Sequence, residues 1–275
     1  MKRINSSPLQ KAILCFLLCA FPLIALQAQI KWPGGKKAAV MLTYDDGLPS
    51  QQQYVIPQLD KHHFHGTFFL YGANVKSNDI PFWRAISKRG HELGNHSIYH
   101  PCLDSKADTM SAHCRSLDCY TVGEMLNEIA IMNDLMSAID GKSEHSYAYP
   151  CGQFMAGGED FSGPMLKKGI TKYARLGETQ GVVNCLDSVD FAKVPAFAAR
   201  KGFKAEAMIN YVKQAIDKGG FAVILFHGVG GDYLTVDAAE HQKLIDYLAA
   251  HKNDVWVGTF SEVLDYLSKQ INNQH

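Results

Sequence analysis

Short apolar segments alternate with amphipathic ones along most of the chain, and this alternation restricts the fold more than any single residue does. Runs rich in β-branched and aromatic residues fall near 38–44, 66–71, 91–95, 146–150, 170–176, 221–227 and 255–259. Between most of them the apolar residues recur with a helical period, over 50–62, 80–89, 122–139, 205–218 and 238–251. Gly90 and Gly219–Gly220 follow two of these segments as helix stops. Strands that are apolar throughout need cover on both faces, which parallel strands joined by helices provide. The pattern therefore predicts an α/β fold with about seven parallel strands. An open sheet and a barrel fit it equally. At 275 residues and 47% hydrophobic, the chain can bury a large core.

The first residues read as a targeting signal. Lys2, Arg3 and Lys11 precede an uncharged stretch, 12–26, that Pro22 interrupts, and Ala28 offers a cleavage point. The expected organisation is a signal peptide over 1–28 and one domain over 29–275, exported to the periplasm or secreted. An uncleaved anchor is the alternative. After cleavage no stable membrane span is expected. Loss of 1–28 removes those three basic residues and no acidic one, leaving a formal charge of −3. Such a chain does not attract nucleic acid, and a carbohydrate partner suits it better. Five cysteines remain, Cys102, Cys114, Cys119, Cys151 and Cys185, none with zinc-knuckle spacing. An exported protein can oxidise some of them, and the close pair Cys114 and Cys119 is the first expectation. Both lie in a polar stretch, 102–120, that reads as an insertion loop. The oligomeric state does not follow from sequence.

Three apolar runs end on unusual polar residues: "TYDDG" (43–47), "GNHSIYHP" (94–101) and "VILFHG" (223–228). In parallel α/β folds the C-terminal strand ends share one edge, where sites form. His96 and His100 stand four apart, so one helical turn would put both rings on one face. Two imidazoles and a carboxylate from Asp45 or Asp46 make a three-ligand site with an open position for a divalent ion. Neighbouring strand residues point to opposite faces, so the second Asp is free to act as a base. Each feature alone has a plainer reading: a solvated helix face, a turn, a hydrogen-bonded histidine. Their convergence on one edge is what points to a metal site. His62, His63, His65 and His91 fall at the opposite edge and read as surface or cap residues. Tyr71, Tyr99, Phe154 and Tyr233 are candidates for stacking on sugar rings, or are rim packing.

In this order and spacing, "TYDDG", "HSIYHP" and "LFH" resemble the polysaccharide deacetylases, the fourth family of carbohydrate esterases. The resemblance runs from about Ala38 to Leu267. It implies a distorted (β/α) barrel of about seven strands and hydrolysis of an acetyl group on a sugar. N-deacetylation of an N-acetylhexosamine glycan is the leading expectation, and an O-acetyl esterase on xylan is the alternative. It further implies Asp45 as general base, Asp46, His96 and His100 as metal ligands, and His227 as general acid. Leu225, Tyr149 and Cys151 would surround the acetyl group, with the Cys151 N–H facing the oxyanion. Zinc is the expected ion, with cobalt or nickel also suited to the ligand set. The chain departs from the family at "YAYPCG" (147–152), where Ala148 replaces the usual arginine and Cys151 the usual tyrosine. Arg175 is the candidate to tune Asp45 in its place, and Asp190 a weak candidate for the family's fourth motif. A non-catalytic sugar-binding module is the remaining alternative.

Overall fold

The computed structural model describes residues 29–103, 115–179 and 181–273. The expected signal peptide and Cys114 lie outside the described residues, as does most of the expected insertion loop. Strands β1 (Ala38–Asp45), β2 (Thr67–Leu70), β3 (Glu92–Asn95) and β4 (Tyr147–Ala148) come first. A small antiparallel hairpin, β5 (Met155–Ala156) and β6 (Glu159–Asp160), follows. Then come β7 (Ala174–Glu178), β8 (Val194–Ala198), β9 (Phe221–Phe226) and β10 (Val255–Val257). Every neighbouring pair in the order β1-β2-β3-β4-β7-β8-β9 is parallel, and β9 pairs again with β1. The sheet is thus a closed seven-stranded barrel, and β10 lies outside the ring beside Ala38–Val40 of β1.

The expected strand count holds, but its membership changes. β8 carries Pro195, which lacks an N–H, and the sequence pattern therefore does not mark it as a strand. The segment expected at 255–259 is the extra strand instead. β7 starts at Ala174, later than the apolar run suggests.

Helices α1 (Ile56–Asp60), α2 (Ile80–Lys88), α3 (Val122–Asp140), α4 (Ser162–Lys167), α5 (Ala205–Lys218), α6 (Ala238–Ala250) and α7 (Phe260–Asn272) complete the chain. Thr121 and Glu124 form a reciprocal capping box that starts α3, and Thr259 and Glu262 form one that starts α7. Gly141 and Gly219 end α3 and α5 in the left-handed conformation. No described helix is long and apolar enough to cross a membrane.

Alternation along each strand splits the core in two. Val40, Leu42 and Tyr44 of β1 pack outward with Ala222, Ile224 and Phe226 of β9 and with helix residues such as Met208, Val212 and Leu244. Ala39 and Met41 pack inward with Phe69, Ala148, Val223 and Leu225, and Phe260 and Leu264 of α7 close that interior from one end. The inward phase continues to the other end, where it delivers Asp45, His96, Arg175 and His227. A period of two therefore decides which polar residues enter the barrel mouth.

Gly94 shows how tightly the interior is filled. A Cβ there would lie 2.4 Å from a ring carbon of buried Phe69. Gly94→Ala is expected to overpack the interior at a cost of ~1–3 kcal/mol. A denaturant titration reads this directly, and an unchanged midpoint would show that the ring can yield.

Candidate functional site

Asp45 and Asp46 are both almost completely buried at the end of β1. Adjacent strand residues should diverge, yet both acids face one site. The reason is local: the Asp46 N–H still bonds the Phe69 carbonyl at 2.9 Å, but its φ of +75° turns the chain out of the strand. Left-handed backbone is unfavourable outside glycine. Among the described residues seven non-glycines adopt it, and Asp46, Ser97, His100, Cys151, Asp232 and Leu234 all lie in the loops around this mouth. Such strain persists only where the surroundings over-determine it.

Residues 96–100 are not a helical turn, contrary to the spacing argument. Ser97 and His100 have positive φ, and the segment is a loop held by side chains. One oxygen of buried Glu128 on α3 accepts the N–H groups of Ile98 and Tyr99 at 3.1 and 2.9 Å. Its other oxygen accepts the Tyr120 hydroxyl at 2.8 Å. Asn95 Oδ1 accepts the Ser97 N–H, and Ser97 Oγ accepts the His100 N–H. These bonds bring the rings together, with centroids 4.7 Å apart. Sequence offered no signal for Glu128, which resembles any acid on a helix.

Asp46 Oδ1 is buried without a hydrogen-bond partner. It lies 3.6 Å from His96 Nε2 and 3.9 Å from His100 Nε2. The three ligand atoms lie within 4.8 Å of one another. His96 Nδ1 is 2.8 Å from the Ala148 carbonyl, so it donates there and leaves the Nε2 lone pair facing Asp46. An orphaned carboxylate oxygen and two imidazole nitrogens are the donor set of an open divalent-metal site, and the residues fit such an ion.

Asp45 has a partner of its own. Arg175 Nη2 donates to both its oxygens, at 2.5 and 2.6 Å. Arg175 is itself buried, and its guanidinium also lies over the Phe69 ring. Register explains its arrival: Ala148 on β4 pairs with Arg175 on β7, so the arginine reaches the barrel mouth at the same level from the next strand. Gln51, which sequence did not single out, donates to the carbonyls of Asp45 and His227 and staples the ends of β1 and β9.

The electrostatics follow from burial and from these partners. Burial pushes the Asp45 carboxyl up, but Arg175, aided by His96 and His227, outweighs it and holds the group below its ordinary range. Burial, then the neighbouring Asp45 charge, pushes Asp46 up to about 7. Burial takes His96 down to about 3 and also lowers His100 and His227.

A cavity of about 610 Å³ opens above this cluster. Asp45, His96, His100, Tyr149, Cys151, Leu225, His227 and Tyr233 line it, which places most of the expected substrate residues together. The Tyr149 hydroxyl donates to the Ala192 carbonyl, so it is not free to bind substrate. Cys151 is bonded to Cys102, which removes it as a nucleophile and links its loop to the one carrying His100. Cys119 is also disulfide-bonded, Cys114 lies outside the described residues, and Cys185 is a buried free thiol. Asp190 does not belong here; it is exposed and caps its own turn by accepting the Ala192 N–H. His91 is buried between the Gly66 N–H and Asp60, not on the surface as expected, and it lies far from this edge.

The comparisons with known proteins agree with the geometry. The sequence profile of the polysaccharide deacetylase family matches residues 33–157. A peptidoglycan-N-acetylmuramic acid deacetylase of Bacillus subtilis is 31% identical over 116 residues, covering 42% of this chain and 38% of that protein. A peptidoglycan-N-acetylglucosamine deacetylase of Bacillus cereus is 27% identical over 205 residues, covering 74% and 64%. A gellan lyase of a Bacillus species is 23% identical across 89% of this chain but only 10% of its own length. The chain thus spans 64% or less of each of these relatives. Among solved structures, a Mycobacterium smegmatis protein assigned to the polysaccharide deacetylases superposes with a TM-score of 0.62 at 18% identity, covering 88% of this chain and 94% of that one. A carbohydrate esterase family 4 pseudoenzyme of Bacillus anthracis superposes at 0.56 and 18%, covering 85% and 67%. Residues 33–157 match the polysaccharide deacetylase family. The structural likenesses show the barrel, and a pseudoenzyme among them shows that the barrel alone does not bring activity.

Below about pH 7 an ion entering this site would have to displace a proton from Asp46. Zinc affinity is therefore expected to fall about tenfold per pH unit below about 7. The two imidazoles do not compete, because their proton affinities are lowered. Competition against a chromophoric chelator measures the slope, and a flat profile across that range would remove Asp46 from the ligand set.

Proposed function

We propose that the chain is an exported, metal-dependent hydrolase that removes acetyl groups from a carbohydrate, in the first place the N-acetyl group of an N-acetylhexosamine glycan. The observation that carries this is the unpartnered Asp46 Oδ1 facing two imidazole nitrogens, beside an arginine-held Asp45, beneath a cavity that Asp45, His96 and His100 line. The relatives named above that act on peptidoglycan amino sugars favour the N-acetyl over the O-acetyl reading. The Cys102–Cys151 disulfide supports an oxidising compartment, in line with the basic and apolar N-terminal pattern.

Asp46, His96 and His100 would hold the ion. A divalent cation held by them would supply Lewis acidity toward the acetyl carbonyl and toward water. Asp45 is kept ionised by Arg175 and is free to take a proton from the attacking water. Arg175 holds both oxygens in one orientation, so the base points at the cavity without a search. Cys151, in a left-handed conformation fixed by its disulfide, offers its backbone N–H to the developing oxyanion; one such donor is typically worth ~3 kcal/mol. Leu225 gives the acetyl methyl an apolar wall. His227, on the inward phase of β9, protonates the leaving nitrogen, which departs poorly without a proton. A binding module would need neither the base nor the acid, and the presence of both on one cavity speaks for catalysis.

Acetate release from N-acetylated oligosaccharides, with acetylated xylan as the parallel arm, is the direct assay. Activity is expected on the amino sugar, lost with a chelator and restored by zinc. Asp45→Asn should lower turnover by ~10²–10⁴ while the zinc content stays at the wild-type level. Release from xylan alone would reassign the substrate. Full activity of Asp45→Asn would remove the base.

A further inference from the structure

The loop after β9, Gly228 to Val236, is built around one side chain that the proposed reaction leaves idle. Three backbone bonds close it: Gly228 N–H to the Tyr233 carbonyl, Gly230 N–H to the Val236 carbonyl and Val236 N–H to the Gly228 carbonyl. Two more tie it to the loop after β1. Ser50 Oγ accepts the Val229 N–H at 3.2 Å, and Asp232 Oδ2 accepts the Ser50 N–H at 2.8 Å. Gly228 is required here, because a Cβ would fall 2.1 Å from the Gly231 carbonyl oxygen. The residues on either side of Tyr233, Asp232 and Leu234, both adopt left-handed backbone with φ of +62° and +48°.

Tyr233 itself remains 51% exposed, so burying its ring is not what this arrangement achieves. What the loop does fix is the hydroxyl, which donates to Asp46 Oδ2. The ring meanwhile lies against His227, with centroids 5.6 Å apart. The two oxygens of Asp46 are thereby distinguished: Oδ2 is occupied by the tyrosine, and Oδ1 is left facing the imidazoles. A ligating carboxylate that is not held can turn, or offer both oxygens and close the open position of its ion.

Resting on the metal-site reading above, we propose that Tyr233 is a positioning residue of that site, holding Asp46 so that a single oxygen faces the ion and the position used by water and substrate stays open. No arrangement of residue types in the sequence reports this, because Tyr233 stands 187 residues from Asp46.

Tyr233→Phe keeps the ring against His227 and removes only the donor. Zinc affinity is expected to fall ~10–100-fold, the usual effect of losing a partner to a ligand. With cobalt in place of zinc, the visible absorption of the variant should shift, because the carboxylate changes its mode of coordination. Asp232→Ala cuts the tether to Ser50 while keeping the tyrosine, and should weaken zinc in the same direction by less. A tyrosine that serves only as a sugar platform would raise KM and leave zinc affinity and the cobalt spectrum as in wild type; that result overturns the assignment. Failure of the wild-type protein to bind one zinc would instead overturn the metal-site reading on which it rests.

Discussion

Two neighbouring carboxyl groups are withdrawn from water at the mouth of this barrel, and each needs a cationic partner when it is ionised. An ionised group in a protein interior is costly unless it is paired and hydrogen-bonded. Asp45 satisfies the requirement inside the chain, through both oxygens and the Arg175 guanidinium. Asp46 does not. One of its oxygens receives the Tyr233 hydroxyl and the other has no partner, only two imidazole nitrogens nearby. Without an ion its carboxyl is pushed up to about 7, by burial and by the charge next to it. The proposed division of labour follows from this asymmetry: Asp45, held below its ordinary range by Arg175, would accept a proton, and Asp46 would ligate a cation.

The barrel meets these demands by periodicity, and its loops meet them by strain. The inward phase of β1 and β7 carries Asp45 and Arg175 to one place, and the residues directly after β3 and β9 bring His96 and His227 there. Asp46, His100 and Cys151 cannot be delivered that way, and each adopts a left-handed backbone instead. Such conformations cost of order 1–3 kcal/mol each and need local support. Glu128 supplies it for the His100 loop, the Cys102–Cys151 bond joins that loop to the Cys151 turn, and the Phe69 carbonyl anchors Asp46.

This division also explains what could be read from sequence. Residues that end a strand were legible: the apolar runs through "VMLTYDD" and "FAVILFH" place the Asp pair and His227 at the C-terminal edge of a parallel sheet. The strand–helix alternation likewise gave the parallel α/β class, although Pro195 hid β8 and the sequence could not separate an open sheet from a barrel. What depended on loops was not legible. The spacing of His96 and His100 suggested a helix, whereas a strained loop does the work because Glu128, on an element distant in sequence, holds its amides. The pairing of Cys102 with Cys151 was not readable either, since the two stand 49 residues apart and only the fold brings their loops together. Arg175 lay between these cases. The missing arginine at position 148 raised the question, but only the register of β4 against β7 shows how a neighbouring strand supplies a guanidinium at that level.

The central claim is that Asp46 Oδ1 is unpaired because a divalent ion belongs there. Anomalous diffraction at the zinc edge, from crystals of the protein grown with one equivalent of zinc, tests it most directly. The account predicts one strong peak within bonding distance of Asp46 Oδ1, His96 Nε2 and His100 Nε2, with Asp45 still bound to Arg175. A peak elsewhere, or an Asp46 carboxyl that stays protonated beside an empty site at neutral pH, would contradict it.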